Sequence, residues 1–247
     1  MDKNVSAIVD RRSFIRLGGL SAACAVLAAL SRPAFGQAPL KIGIIGSGRI
    51  GGTVGTLWVK AGHQVLFSSR HPEELKGLVE GLGPLARAGH VGEAAGFGDV
   101  VLVAVPYGAY PQLGKDHAQT LAGKVLLDAG NAFAGRDGAI ANEARDAGIG
   151  LTSAKYFPGA KVVRAFNTLG YTILQRNAHR PGDKMAIPIA GDDEAALATA
   201  SGLVRDAGFD PVVIGPLARA DLFASGAPLY GLQVTAEEMR KRAAALK

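Results

Sequence analysis

Residues 40–71, LKIGIIGSGRIGGTVGTLWVKAGHQVLFSSRH, decide the fold. Leu40, Ile42, Ile44 and Ile45 form a short apolar run with β-branched bias, the pattern of a strand buried in a parallel sheet. The run breaks at Gly46-Ser47-Gly48-Arg49-Ile50-Gly51, a G-x-G-x-x-G spacing. Val54, Leu57, Trp58 and Ala61 follow at helical intervals, Gly62 stops the helix, and Val65-Leu66-Phe67 starts a second strand. In such a strand–turn–helix each glycine has a mechanical task. Gly46 permits the tight turn, Gly48 lets a pyrophosphate approach the backbone, and Gly51 lets the helix lie close on the sheet. The phosphates are expected on the free N–H groups at the helix start, where the dipole favours anions. A glycine turn alone says little in a chain with 34 glycines. The strands and helix around it supply the context the motif requires.

The end of the second strand carries the next piece of information. A dinucleotide site selective for NAD places Asp or Glu there to hold the ribose 2′-OH. This chain has Ser68-Ser69-Arg70-His71. Hydroxyls and a guanidinium suit a 2′-phosphate, which a carboxylate would repel. The expected nucleotide is therefore NADP(H).

The remaining chain alternates strands and helices. Pro72-Glu73-Glu74-Leu75 opens a helix ending near Gly81–Gly83, residues 85–89 suit a short strand and 91–97 a short helix. Asp99–Pro106 is the clearest strand, and it brings Ala104-Val105-Pro106 to the sheet edge where ligands sit. Lys124–Asp128, ending in Ala129-Gly130-Asn131, and Lys161–Phe166, ending in Asn167-Thr168-Leu169, face the same edge. Strands over Lys184–Ala190 and Phe209–Ile214 flank an Ala-rich helix over Glu194–Ala207. Gly215–Gly231 reads as a loop-rich lid or substrate wall, and Ala236–Leu246 as a terminal helix. The alternation predicts an α/β, Rossmann-type, doubly wound parallel sheet with a small C-terminal helical and loop extension.

Residues 1–38 are set apart from the fold as a leader, leaving 39–247 as one NADP-binding oxidoreductase domain with its C-terminal extension. Asp10-Arg11-Arg12-Ser13-Phe14-Ile15-Arg16 resembles a twin-arginine export signal, and the apolar run Leu17–Leu30 is short for a bilayer span. Ala34, Gly36 and Ala38 suit cleavage after Gly36 or Ala38. The expectation is export through the twin-arginine translocation machinery to the periplasm or beyond. An uncleaved N-terminal anchor or a buried helix is the alternative. The leader's five basic and two acidic residues account for +3 of the net charge of +6. The remainder is mildly basic and has no dense Lys/Arg tract, so nucleic-acid binding is not suggested. Cys24, the single cysteine, lies in the leader, which excludes disulfides and thiolate chemistry from the mature chain. No metal site is expected, because His63, His90, His117 and His179 are scattered without ligand spacing.

Several segments together resemble one family. They are Gly46–Gly51, Ser68-Ser69-Arg70, Ala104-Val105-Pro106, the AFNTL run Ala165–Leu169, Gly191-Asp192-Asp193, and GFDP at 208–211 followed by GPL at 215–217. In this order they resemble the NADPH-dependent F420 reductases (F420H2:NADP oxidoreductases), over nearly all of residues 40–232. The same unit also resembles the reductase domain of STEAP-type ferric reductases. The resemblance implies hydride transfer between NADPH and the deazaflavin coenzyme F420. It implies Gly46, Ser47, Gly48, Arg49, Ile50 and Gly51 around the pyrophosphate and Ser68, Ser69, Arg70 and His71 at the 2′-phosphate. It also implies Ala104, Val105 and Pro106 near the nicotinamide ribose, with Asn131, Phe166 and Asn167 near the reacting rings. Stacked rings exchange a hydride directly, so no general acid or base is nominated and the catalytic residues stay unassigned.

The leading expectation is an exported NADPH-dependent oxidoreductase. Its partner is a small electron acceptor such as F420, a flavin or a similar molecule, and association into a homo-oligomer is expected. An exported dinucleotide-binding protein without turnover, a ferric or other metal reductase-like NADPH-binding domain, and a scaffold with a vestigial pocket stay open as alternatives.

Overall fold

The computed structural model describes residues 38–246. The leader assigned to residues 1–38 lies outside them but for its last residue. The described chain builds one eight-stranded sheet in the order β3-β2-β1-β4-β5-β6-β7-β8. The strands are β1 (Lys41–Ile45), β2 (Gln64–Ser68), β3 (Ala86–Gly89), β4 (Val100–Val103), β5 (Val125–Asp128), β6 (Lys161–Arg164), β7 (Ala186–Gly191) and β8 (Asp210–Gly215). Between β1 and β2 runs α1 (Arg49–Lys60). A 3₁₀ turn (Pro72–Leu75) leads into α2 (Lys76–Leu82), α3 is Val91–Phe97, and α4 is Tyr110–Leu121. Three helices to which the sequence pattern gave no assignment, α5 (Ala134–Asp137), α6 (Ala139–Ala147) and α7 (Ile149–Tyr156), join β5 to β6. Beyond β6 come α8 (Tyr171–Asn177), α9 (Glu194–Asp206), a 3₁₀ stretch (Leu217–Phe223) and α10 (Ala236–Ala245).

Strands β1 to β6 pair in parallel, as expected of a doubly wound sheet. The last two strands correct that expectation. β7 is antiparallel to β6, through the pairs Val163 with Gly191 and Arg164 with Ala190, and β8 is parallel to β7. Between β6 and β7 the chain makes the seven-residue α8 and then returns along the sheet in the opposite direction. The carboxyl ends of β7 and β8 thus open on the edge opposite to those of β1–β6. Pro188 in β7 fits this arrangement, because the two-residue ladder with β6 does not reach it and no β6 partner lacks an N–H.

Alternate residues of the buried strands feed two apolar layers. Ile42, Ile44, Val100, Leu102 and Leu127 face the layer made with Val54 and Trp58 of α1 and Ala200 and Leu203 of α9. Ile45, Val101, Val103 and Leu126 face the layer of Ala94, Tyr107, Tyr110, Phe157 and Met239. Two hydrogen bonds tie α1 and the turn after it to α9. Trp58 Nε1 donates to Leu203 O at 2.8 Å, and His63 Nε2 lies 3.0 Å from Asp206 Oδ2. His63 Nδ1 accepts the Leu40 N–H at 3.0 Å, which fixes the ring with its proton on Nε2 and anchors the entry to β1.

Charge is also buried, beneath the carboxyl edge. Asp128 at the end of β5 and Arg164 at the end of β6 are fully buried and meet at 2.7 Å. Asp128 further accepts Tyr110 Oη and Ser153 Oγ at 2.5 Å each and the Gly130 N–H at 2.9 Å. Burial, and then the Asp128 charge, push the Tyr107 and Tyr110 phenols well above the usual tyrosine range, so both remain donors. Arg164→Met would leave the Asp128 carboxylate buried without its counter-charge. Equilibrium urea unfolding should then show a loss of about 3–5 kcal/mol.

Candidate functional site

The strand order reverses between β1 and β4, and a dinucleotide binds at such a switch point. Two clefts meet here across Val105 and Pro106. The first, about 550 Å³, is lined by the glycine turn, Ser68, Ser69 and Arg70, with Glu74, Leu75, Val91 and Leu113 closing it. The second, about 540 Å³, runs along Arg49 and Ile50, past Ala104–Pro106 and Gly130-Asn131, to Phe166, Asn167 and Tyr230. The pair shares Val105 and Pro106 and forms one trough along the carboxyl edge.

The turn is built to receive phosphate. Gly46 stands at φ +96°, and a Cβ there would strike Val105 Cγ1 at 2.5 Å. A Cβ on Gly51 would collide with the Gly46 carbonyl oxygen, so α1 could not lie where it does. A Cβ on Gly48 would meet no atom of the chain within 4 Å, which leaves open the approach that a pyrophosphate needs. Gly48 caps α1 without a side-chain hydrogen bond, and the first turn carries no acidic residue. The helix therefore presents bare N–H donors and the positive end of its dipole to the trough. The Ser47 N–H is taken by Ser68 O at 2.9 Å, whereas Ser47 Oγ is buried and lacks a partner among the described residues. An orphaned hydroxyl beside uncapped helix donors fits a phosphate ligand.

At the adenine end the four nominated residues separate by role. Ser68 is buried, and its hydroxyl donates to Ile44 O at 2.7 Å, which locks β2 to β1. Ser69 Oγ accepts the His71 N–H at 3.1 Å and keeps its own proton to donate. His71 is exposed, with Nδ1 3.4 Å from Glu73 Oε1. Arg70 is exposed and makes no ion pair among the described residues. Ser69 and Arg70 are thus the side-chain donors offered to a 2′-phosphate. Glu74 lines the same cleft, so Arg70 must outweigh a neighbouring carboxylate.

At the nicotinamide end one nominated side chain is turned into the core. Phe166 lies in the second cleft, but its ring is 1% exposed and packs edge-on against Trp58, with centroids 5.8 Å apart. Its backbone stands at φ +61°, an unusual conformation for a bulky residue, held here by that packing. The ring serves the core and is not available to stack on a ligand. Asn131 and Asn167 do lie together. Asn131 Nδ2 donates to Asn167 O at 2.7 Å, and Asn167 Nδ2 donates to Phe223 O at 2.9 Å and to Asn131 Oδ1 at 3.3 Å. The two amides stitch the ends of β5 and β6 to the 3₁₀ stretch 217–223. Asn167 Oδ1 is buried and keeps no partner among the described residues. The stretch 215–231 does form a wall, since Tyr230 lines the cleft and the Gly231 N–H donates to Thr168 O at 3.2 Å.

Arg49, expected at the pyrophosphate, sits beside the Tyr171 ring, 5.3 Å from its centroid. Two side chains of the trough escaped the sequence reading. Phe133 and Arg136 stand at the far rim of the second cleft, two and five residues past Asn131. An aromatic followed by an arginine so soon after a strand-end asparagine is the signal that could have found them.

Residues 41–132, from β1 through the glycine turn to Asn131 and its neighbour, match the family described as NADP oxidoreductase, coenzyme F420-dependent. Over this segment, 92 of its 247 residues, the chain is similar to that family. The rat (Rattus norvegicus) metalloreductase STEAP3 is 34% identical to it over 188 residues, 74% of this chain. This chain spans about a third of that relative, 35% of its length. Among solved structures, the hypothetical protein SMa0349 from Sinorhizobium meliloti superposes with a TM-score of 0.66 at 28% identity. The alignment covers 80% of this chain and 95% of that one. A candidate F420-dependent NADP-reductase from Arthrobacter sp. FB24 superposes with a TM-score of 0.62 at 25% identity, covering 73% and 87%. An imine reductase from Myxococcus stipitatus in complex with NADP+ shares the fold, with a TM-score of 0.55 at 17% identity over 73% of this chain and 56% of the imine reductase.

The donors at the adenine end give a direct test. A hydrogen bond to a charged partner contributes about 1.5–3 kcal/mol. Arg70→Ala should therefore weaken NADPH binding roughly tenfold to a hundredfold, at about 1.4 kcal/mol per decade, and leave NADH nearly unchanged. Calorimetric titration of both nucleotides reads this. Equal weakening of the two would mean that Arg70 supports the adenine site in general.

Proposed function

We propose that this chain is an oxidoreductase that uses NADPH to reduce a planar ring acceptor, the deazaflavin coenzyme F420 or a flavin, by direct hydride transfer. The observation that carries this reading is the continuous trough. A phosphate-receiving turn and a 2′-phosphate end lead past Val105-Pro106 into a second cleft with room for another ring. The matching family and the Arthrobacter structure support the same reading.

NADPH supplies the hydride. The protein's share is binding, orientation and exclusion of water. Gly46–Gly51 and the head of α1 would hold the pyrophosphate, and Ser69 and Arg70 the 2′-phosphate. Ala104–Pro106 would support the nicotinamide ribose, with the Asn131–Asn167 lattice keeping the cleft wall rigid beside the reacting ring.

The STEAP3 relative favours a second reading, in which electrons finally reach a metal ion. A hydride delivers two electrons and a ferric ion accepts one, so a ring carrier stands between them on that reading as well.

We also propose that residues 1–38 direct the chain through the twin-arginine route to the periplasm. Arg11-Arg12 and Phe14 precede a modest apolar run followed by small residues. That route accepts folded substrates, so the nucleotide can be loaded before export.

Two experiments test these readings. Stopped-flow mixing of the NADPH complex with F420, FMN or riboflavin should show loss of the dihydronicotinamide absorbance in step with reduction of the acceptor. NADPH binding with no oxidation by any of them would favour a nucleotide-binding protein without turnover. Replacing Arg11 and Arg12 with lysine should retain the chain in the cytoplasm on cell fractionation. Unchanged export would show that another signal carries it.

A further inference from the structure

Phe133 is 41% exposed, one of three large apolar side chains so exposed among the described residues, and the one at the trough. The Arg136 guanidinium lies over its ring, 4.8 Å from the centroid. That guanidinium is not free to wander. Its Nε donates to Asp137 Oδ1 at 2.9 Å, and its Nη2 to Asp137 Oδ2 at 2.8 Å and to Asn131 O at 2.7 Å. Asp137 is itself pinned, accepting the Phe133 and Gly108 N–H groups at 2.8 and 3.0 Å. Burial opposes its charge, but Arg136 and these two amides outweigh it and hold its carboxyl below the usual range. The remaining guanidinium nitrogen, Nη1, makes no hydrogen bond among the described residues. A cation with one planar fork locked and one nitrogen idle, beside an exposed aromatic face, is an unusual thing to leave at a cleft rim. Across the cleft stands Tyr230.

We propose that Phe133 and Arg136 form the acceptor platform of this site, taking a planar conjugated ring that becomes anionic on two-electron reduction. This rests on the hydride-transfer reading above. In the step, the C4–H bond of the dihydronicotinamide breaks and both its electrons leave with the hydrogen. A new bond forms at the central ring position of the acceptor, N5 of a flavin or C5 of a deazaflavin. The displaced ring electrons collect on the N1–C2=O edge, and the nicotinamide is left oxidised by two electrons. Solvent supplies a proton wherever the neutral reduced ring is the final form. Phe133 offers a face on which the ring lies, and Arg136 Nη1 offers a donor to the edge that gains charge. A donor aimed at charge that develops during reaction accelerates the chemical step more than it tightens ground-state binding.

The test uses Arg136→Gln, Arg136→Lys and Phe133→Ala in the full chain, with FMN and riboflavin as acceptors, read by stopped flow and by separate NADPH titration. Arg136→Gln should slow hydride transfer roughly tenfold or more to both acceptors, with partial recovery in Arg136→Lys. Phe133→Ala should raise acceptor KM about two- to tenfold. NADPH affinity should stay within about twofold of wild type in all three, below the cost of a typical hydrogen bond. A loss confined to FMN would assign Arg136 to the tail phosphate and overturn the platform. Parallel weakening of NADPH would assign it to the nucleotide and overturn it as well. Wild-type turnover with unaffected variants would overturn this inference alone. A wild type that binds NADPH and reduces neither acceptor would overturn the hydride-transfer reading and the platform with it.

Discussion

An uncapped helix end governs this structure. The head of α1 points its unsatisfied N–H groups and its positive dipole end at the trough, with no side-chain cap and no acid in the first turn. Such an end is completed by water or, more favourably, by an anion. It can point there only because Gly46 turns the chain at φ +96° and Gly51 lets α1 settle against the sheet. Trp58 and His63 then hold α1 to α9 and to the start of β1. The phosphate-receiving geometry is therefore tied directly to the core, with no mobile loop in between.

The opposite end of the trough is held by charge. Asp128 and Arg164 are buried under the carboxyl edge, and the Asp128 carboxylate also gathers Tyr110, Ser153 and the Gly130 N–H. This cluster fixes where β5 ends, and so where Asn131 begins the amide lattice with Asn167. A buried ion pair is a poor source of net stability, and removing one partner leaves the other charge uncompensated. Here it sits directly beneath the place where position matters for a ring-to-ring transfer.

Much of this was legible in the sequence for a physical reason: parallel buried strands and glycine turns leave strong local signals. β1, α1, β2 and β4 follow from apolar runs and glycine spacing, and the nucleotide end follows from them. The reversal at β7 was not legible, because the apolar pattern of Met185–Ala190 is the same whichever way the strand runs. Nor was the fate of Phe166. Its position in the AFNTL run is shared by a ring facing the cleft and one facing Trp58, and the backbone φ decides between them. Ser68 and Ser69 look alike in sequence, yet the strand's alternation sends one hydroxyl to Ile44 and leaves the other at the cleft. Helices α5–α7 went unassigned because they are short, small-residue segments. Phe133 and Arg136 stand at their start.

The parallel run from β1 to β6 also has a kinetic consequence. No two of these strands can be joined by a tight hairpin, so every pairing waits for a helical crossover to close first. Loop closure is charged before the contacts repay it, and chains of this topology fold more slowly than those built from local pairs. Transport that demanded an unfolded chain would have to hold these apolar strands exposed for long periods. A route that takes the folded domain, as proposed here, removes that burden and lets the sheet close where nucleotide is at hand.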